Sequence, residues 1–197
     1  MPPIRSVRPF AIALLLAAPA FADPAIRAGD RARLEDLDAA AGETLRAAFA
    51  GGDAADLEVL VQALSGRPLP VAEALAQLPG EWSCRMIKLG GGLPIVTYPP
   101  FRCVADGDGG FRKLTGSQRT RGTVAAMEGR LVYLGTGYIA GDDPPDYADL
   151  PEPPAPQDLP QRVPEVGVVE LTGLDAGRIL MPRPLLESGF NILMLRR

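Results

Sequence analysis

The sequence predicts an α+β fold in which N-terminal helices dock on a C-terminal eight-stranded antiparallel β-barrel or sandwich. Apolar residues recur at helical spacing up to residue 79, and from Gly80 onward their period changes to two. Turn-forming residues divide this second region into eight segments of strand length. The chain has 197 residues, of which 47% are apolar, and this is enough for one domain with a substantial core.

The first 22 residues predict a signal peptide. Arg5 and Arg8 precede an apolar run over residues 9–18, and Ala20-Phe21-Ala22 has the small-x-small pattern at which signal peptidase cleaves. This run is shorter than the roughly 20 residues that a transmembrane helix needs. We therefore predict cleavage after Ala22, a periplasmic or secreted protein, and no membrane span.

Residues 23–79 predict a helical region of three helices. Asp30 is the expected N-cap of the first helix and Asp53 of the second, and a short third helix is expected over residues 71–78. The apolar stripes of these helices are narrow, so we expect them to pack on another part of the chain rather than fold alone.

Eight strands are predicted in the β domain, residues 80–197. Each segment alternates apolar and polar residues, and glycine-containing turns separate it from the next. The strands are expected near residues 81–89, 95–104, 110–115, 117–125, 130–139, 165–172, 177–182 and 190–196.

The β domain is interrupted by residues 142–165, which we call the proline-rich loop. It contains eight prolines and seven acids against one base. Since proline lacks the backbone N–H that a strand needs, this composition favours either an extended, polyproline-like crossing loop or a disordered excursion.

Charge is divided unevenly along the chain. Residues 80–141 contain eight bases and four acids, whereas residues 23–79 contain ten acids and five bases. We expect the acidic segments to dock on the basic strands. The formal net charge of −4 and the lack of a basic helix or stacking platform argue against a nucleic-acid partner.

Cys84 and Cys103 are the two cysteines of the chain, and in an exported protein an even count favours a disulfide over free thiols. If the first two strands pair so that these cysteines face each other, one face of the pair is wholly apolar. The same register sets two further apolar pairs opposite each other: Met86 with Phe101, and Trp82 with Ala105.

Four arginines are the candidate ligand-binding residues. The cysteine register sets Arg85 opposite Arg102 on the other face, and like charges in that position need an anion between them. Arg119 and Arg121 lie two apart on one strand and point to the same side, where their guanidinium groups suit a carboxylate or phosphate. The alternative is an exposed strand kept soluble by charge.

The chain contains no histidine, which removes the commonest general base and the commonest zinc ligand. Gly135-Thr136-Gly137 lacks the spacing and the following helix of a phosphate loop. We therefore predict no catalytic residue, no metal site, no cofactor and no enzymatic activity.

Several segments of the β domain resemble a family of exported proteobacterial proteins described as domain of unknown function 4893. They are Gly80-Glu81-Trp82, residues 113–120, residues 134–137 and the ending over residues 187–197. The resemblance covers nearly the whole mature chain. It implies export, and it implies no particular activity.

A second resemblance is architectural. The pattern Gly80-x-Trp82 at the start of the first of eight strands, with Arg196 on the last strand, is similar to lipocalins and related calycin barrels. In that group the tryptophan packs at the closed end of the barrel beneath an arginine of the C-terminal strand. The resemblance therefore implies a structural role for Trp82 and Arg196, and we expect Trp82 to be buried and to stack on Arg196 or Arg197 through a cation–π contact. The helical region, the proline-rich loop and a disulfide between the first two strands depart from the pattern.

Two hypotheses of function follow. The favoured one is a non-enzymatic exported barrel that binds a small anionic or amphipathic molecule. The alternative is a cell-envelope interaction or structural module, in which the acidic proline-rich loop presents a surface to another protein. The sequence leaves the identity of the ligand or partner and the oligomeric state open.

Overall fold

The computed structural model describes residues 25–154 and 161–197, so the predicted signal peptide lies outside the described residues. Within them, four helices accompany an antiparallel β-barrel, which confirms the α+β class. No helix in this part of the chain combines the length and hydropathy that a membrane crossing needs. The helices are α1 (Ala28–Glu35), α2 (Leu37–Gly51), α3 (Ala54–Leu64) and α4 (Val71–Gln77).

The barrel is closed by eight strands, each hydrogen-bonded to the next, with the last paired to the first. A ninth, short strand extends one edge of β1 at Ile87–Leu89. This confirms the predicted barrel. The strands are β1 (Gly80–Leu89), β2 (Ile95–Thr97), β3 (Phe101–Ala105), β4 (Gly110–Lys113), β5 (Gln118–Met127), β6 (Arg130–Ile139), β7 (Arg162–Leu171), β8 (Ala176–Pro182) and β9 (Phe190–Arg196).

Two predicted strands have different bounds in the structure. The predicted strand over residues 95–104 is divided into β2 and β3, because Pro99 and Pro100 between them have no N–H to donate. β7 begins at Arg162, three residues earlier than predicted. It therefore takes in residues 162–164, which the prediction placed in the proline-rich loop, and Glu165, where the predicted loop and strand met, lies inside the strand.

The first predicted helix is two helices, α1 and α2, joined at Asp36. Asp30 is not an N-cap, because α1 begins one turn earlier and is preceded by Arg27. The Asp30 carboxylate is buried, and it accepts hydrogen bonds from the Tyr147 hydroxyl at 2.7 Å and from Arg33 at 2.8 Å. Asp53 precedes α3 as predicted, although its side chain makes no capping hydrogen bond.

The helices pack on the barrel in two ways. α1, α2 and α3 cover the outer face of the strands, where α2 and α3 bury residues such as Ile87 and Ile192. α4 instead closes one end of the barrel, where its residue Ala74 and the following residue, Leu78, join the apolar interior. We call this the closed end and the opposite one the open end.

The Cys84–Cys103 disulfide is present, with the two Cα atoms 5.9 Å apart, but the predicted register was wrong by two residues. Cys84 lies opposite Phe101, and Cys103 lies opposite Trp82, so the disulfide runs diagonally across the strand pair. A shift of two residues leaves every side chain on its predicted face. The apolar inner face is therefore preserved.

The same register shift removes the predicted arginine pair. Arg102 lies opposite Ser83, while Arg85 pairs in register with Met194 of β9. Because the chain turns at Pro99 and Pro100, β3 does not extend far enough to meet Arg85.

At the closed end, Trp82 is buried and donates its indole N–H to the Leu78 carbonyl at 2.9 Å. The guanidinium carbon of Arg197 lies 3.9 Å from the Trp82 ring centroid, a cation–π contact. Arg197 also donates to the Gln77 carbonyl at 3.0 Å, and so caps the last turn of α4. Of the two arginines expected at this position, Arg197 therefore makes the contact, while Arg196 points outward to the Gln62 carbonyl because side chains alternate along the strand.

The described part of the proline-rich loop docks on the barrel. Tyr147 lies in a single turn of 3₁₀-helix (Tyr147–Asp149), and it is buried together with Leu150 in a cluster that includes Val166 of β7. Asp142 pairs with Arg162 at 2.6 Å, and Asp143 and Asp146 lie 3.5 Å and 3.4 Å from Arg121 of β5, within the basic region. The expected docking of acidic segments on basic strands is confirmed for this segment, while residues 155–160 lie outside the described residues.

Candidate ligand-binding site at the open end of the barrel

A cavity lies inside the open end of the barrel. The inward positions of β1 run from Trp82 at the closed end to Lys88 at the open end, roughly 20 Å away at the usual rise of a strand. The space open to the centres of water-sized molecules is about 90 Å³. Part of the lining is apolar and includes side chains from β1, β3, β7 and the β8–β9 connection, among them Met86, Phe101, Val163, Leu185 and Leu186.

Lys113 is the first of two lysines on the inner wall. It is the last residue of β4 and is only 4% exposed. Its ammonium donates to the carbonyls of Thr115, at 3.0 Å, and Gln118, and it lies 3.8 Å from the ring centroid of Phe101. Burial lowers the pKa of Lys113 to about 8, against the opposing attraction of Glu165. At neutral pH the side chain is therefore still mainly a cation.

Lys88 is the second lysine, from β1, and it is also buried. Its ammonium donates to the side-chain oxygen of Gln118 at 2.9 Å and forms an ion pair with Glu187 from the β8–β9 connection. The hydrogen bond from Lys88 holds the pKa of Glu187 below its usual range. Gln118 donates to the other oxygen of the same carboxylate at 3.0 Å.

Glu165 of β7 places a carboxyl group on the same wall. Burial raises its pKa, while the Thr120 hydroxyl and the positive charges of Arg33, Lys113 and Lys88 act in the opposite direction. Thr120 also shares a hydrogen bond with the Tyr133 hydroxyl, and burial raises the pKa of Tyr133 well above 10. The Oε2 atom of Glu165 is buried and has no hydrogen-bond partner among the described residues.

The four predicted ligand-binding arginines do not share one site. Only Arg119 borders the cavity, and its Nε donates to the Gly116 carbonyl at 3.2 Å. Arg121 is turned to the proline-rich loop, where it bonds the Pro144 carbonyl and lies 3.4 Å from Asp146.

The other two arginines lie away from the cavity. Arg102 is largely exposed and pairs with Glu81 at 3.6 Å. Arg85 is half-buried on the outward side of β1, and its Nε has no hydrogen-bond partner in the described part of the chain. The structure therefore does not bring Arg85 and Arg102 together.

The polar residues of the inner wall were not predicted as site residues. A signal for two of them was present, because Lys88 continues the inward series of Trp82 and Cys84, and Lys113 follows Phe111 at the same spacing. Glu165 stood at the boundary between the predicted proline-rich loop and the predicted strand over residues 165–172, and no inward direction was assigned to it. Over residues 25–154 and 161–197, no group of three or more acidic or cysteine side chains lies close enough together to hold a metal ion.

Comparison with known proteins identifies the family to which the chain belongs. No curated protein and no solved structure matches the chain. The profile of a family described as "Domain of unknown function (DUF4893)" matches residues 24–195, which is almost the whole chain. The chain therefore belongs to the DUF4893 family.

Proposed function

We propose that the chain is an exported, non-enzymatic binding protein whose barrel, similar in plan to a lipocalin, holds a small molecule with an anionic group and an apolar part. The observation that carries this proposal is Lys113. It is a buried cation on the cavity wall, and no ion pair joins it to a carboxylate in the described residues.

The chemistry of an ammonium group supports an anionic ligand. Lys113 has three N–H donors, and the carbonyls of Thr115 and Gln118 accept two of them. One donor is left for a ligand. An anion about 4 Å away would gain about 4 kcal/mol of Coulomb energy at an effective dielectric constant of about 20, which offsets part of the cost of burying the charge.

The size and lining of the cavity restrict the apolar part of the ligand. A single water needs about 10–15 Å³ of such space, so about 90 Å³ holds several waters or a few non-hydrogen atoms of a ligand. Met86 and Phe101 lie beside the lysines, and Leu185 and Leu186 lie at the mouth. A short aliphatic acid, or the head of a longer amphipathic acid, fits this arrangement.

Export is supported by two features. The pattern of residues 1–22 is that of a signal peptide, and the Cys84–Cys103 disulfide suits an oxidising compartment.

The alternative role of the proline-rich loop as a docking surface has less support. The large apolar side chains in its described part, Tyr147 and Leu150, are buried against the chain's own barrel.

The test combines native mass spectrometry of protein purified from its host with calorimetric titration of acetate, butyrate, hexanoate and inorganic phosphate. We expect a co-purifying acid or measurable binding of at least one of these anions. Lys113→Met should weaken that binding tenfold or more, while Arg102→Met, which removes an exposed charge on the outer face, should leave it unchanged. Protein that is repeatedly empty and binds none of the four anions would overturn the proposal. An intact N-terminus on protein found only in the cytoplasm would overturn export alone.

A further inference from the structure

The connection between β8 and β9, residues 183–189, covers the mouth of the cavity, and we call it the β8–β9 loop. Pro184, Leu185 and Leu186 line the cavity from this side. The base of the loop is fixed by backbone hydrogen bonds, because Arg183 donates to the Gly189 carbonyl at 3.1 Å and Gly189 donates to the Leu89 carbonyl at 2.9 Å. The tip between them crosses the opening.

Glu187 joins this tip to the barrel wall. One of its carboxylate oxygens bonds Lys88, and the other accepts from the Gln118 side chain at 3.0 Å. Lys88 and Gln118 both line the cavity, and together they offer one donor to each oxygen of a carboxylate. Lys113 donates to the backbone carbonyl of the same Gln118, so its positive charge lies beside this position and attracts the same anion. The Glu187 side chain is 53% exposed, while that of Lys88 is 10% exposed. A solvent-accessible carboxylate of the protein thus binds a buried cation of the site.

The backbone of the loop is strained at this point. Glu187 has a φ of 67° and Arg183 a φ of 45°, and both are non-glycine residues in the left-handed region. Such conformations are unfavourable for residues with a side chain and persist only where surrounding contacts hold them. Loss of the Glu187 contacts with Lys88 and Gln118 would therefore favour movement of the tip.

We propose that Glu187 occupies the anion-binding position of the barrel, and that a monocarboxylate ligand displaces it from Lys88 and Gln118 and so releases the β8–β9 loop. This inference rests on the proposed function. It narrows the ligand to a carboxylate, because the position that Glu187 occupies provides one donor for each oxygen of a planar, two-oxygen group. The exchange replaces one carboxylate with another and leaves the charge of the site unchanged.

The expected gain in ligand affinity depends on how strongly the tethered Glu187 carboxylate competes with a free carboxylate. A side chain held by a short flexible segment competes at an effective concentration of the order of millimolar. A free carboxylate that binds no more tightly than the Glu187 carboxylate must therefore reach about millimolar concentration before it displaces Glu187. Removal of its charge should therefore strengthen carboxylate binding.

The experiment is titration of hexanoate into the wild-type chain and into Glu187→Gln, with Glu81→Gln as the matched control at an exposed acid of the closed end. We expect Glu187→Gln to bind hexanoate about tenfold more tightly and Glu81→Gln to bind like wild type. Hydrogen exchange should become faster over residues 183–189 when hexanoate binds to the wild type. Glu187→Ala serves as a second variant if Glu187→Gln melts at a lower temperature than wild type.

Three results would count against the inference in different ways. If the wild type binds hexanoate and both Glu187 variants bind it equally or more weakly, Glu187 supports the ligand rather than competing with it, and the proposed function survives. If phosphate binds more tightly than every carboxylate, the carboxylate assignment is wrong. If neither the wild type nor the variants bind any anion, the proposed function fails and the inference fails with it.

Discussion

At the closed end of the barrel the inward side chains are mainly apolar, and the buried indole N–H of Trp82 is satisfied by the Leu78 carbonyl. At the open end the same strands place two lysines and Glu165 inside, and one oxygen of Glu165 is unpartnered among the described residues. Burial of apolar surface stabilises a fold, whereas buried charge costs stability unless it is paired. The difference indicates that the closed end stabilises the fold. At the open end the buried charged groups lower stability, and the same groups are available to bind a ligand.

If the closed end supplies most of the stability, the largest loss of unfolding free energy should follow a substitution of Trp82. Trp82→Ala removes a fully buried ring and its stacking with Arg197, so we expect the free energy of unfolding to fall by about 3–5 kcal/mol. The matched change at the open end is Tyr98→Ala, which removes a half-buried ring near Lys88 and should cost less than about 2 kcal/mol. Chemical denaturation of both variants measures the two losses. Equal losses would show that the two ends do not differ in this way.

The second prediction concerns the pH dependence of stability at the open end. The folded-state pKa of Lys113, about 8, lies below its ordinary value of 10.5 because burial disfavours the ammonium. Between these values the unfolded chain binds more protons than the folded chain. The contribution of Lys113 to stability therefore rises as pH increases from 8 toward 10, by up to about 2 kcal/mol, and is least favourable at neutral pH.

Unfolding by denaturant at pH 7, 8, 9 and 10 measures this dependence, with Lys113→Met as the comparison. We expect the difference in unfolding free energy between wild type and variant to shift in favour of wild type as pH rises. Trp82→Phe, a closed-end variant that carries no titrating group, should follow the wild-type pH profile. A difference between wild type and Lys113→Met that stays constant across this range would show that the lysine is not desolvated.

Much of the fold could be predicted from local patterns. The change of period at Gly80 marks the start of the barrel, and the alternation of Trp82, Cys84 and Met86 identifies its inner face. The two-residue error in register did not alter that assignment, because a shift of two residues leaves each side chain on the same face of the sheet. It mattered for Arg85 and Arg102, because a cross-strand pair depends on the register itself.

The site was harder to predict because it depends on contacts between distant parts of the chain. A lysine at the end of a strand is usually exposed, and Lys88 is buried only because β9 closes the barrel against β1. Glu187 follows Lys88 by 99 residues, and only the path of the β8–β9 loop brings the two together. Glu165 belongs to a strand that passes through Pro164, where proline composition favours a loop.

The smallest expected effects distinguish the two arginines of β5. Arg121 contacts the proline-rich loop through partly exposed ion pairs, so Arg121→Ala should lower the free energy of unfolding by at most about 1 kcal/mol and leave hexanoate affinity unchanged. Arg119 borders the cavity and bonds a carbonyl of its own turn, so Arg119→Ala should weaken hexanoate binding several-fold with little change in stability. Thermal melting with and without millimolar hexanoate measures both quantities, because a ligand raises the melting temperature only as far as it binds the folded state. If Arg121→Ala abolishes the ligand-induced rise while Arg119→Ala retains it, the anion binds on the outer face beneath the proline-rich loop, and the open end is not the binding site.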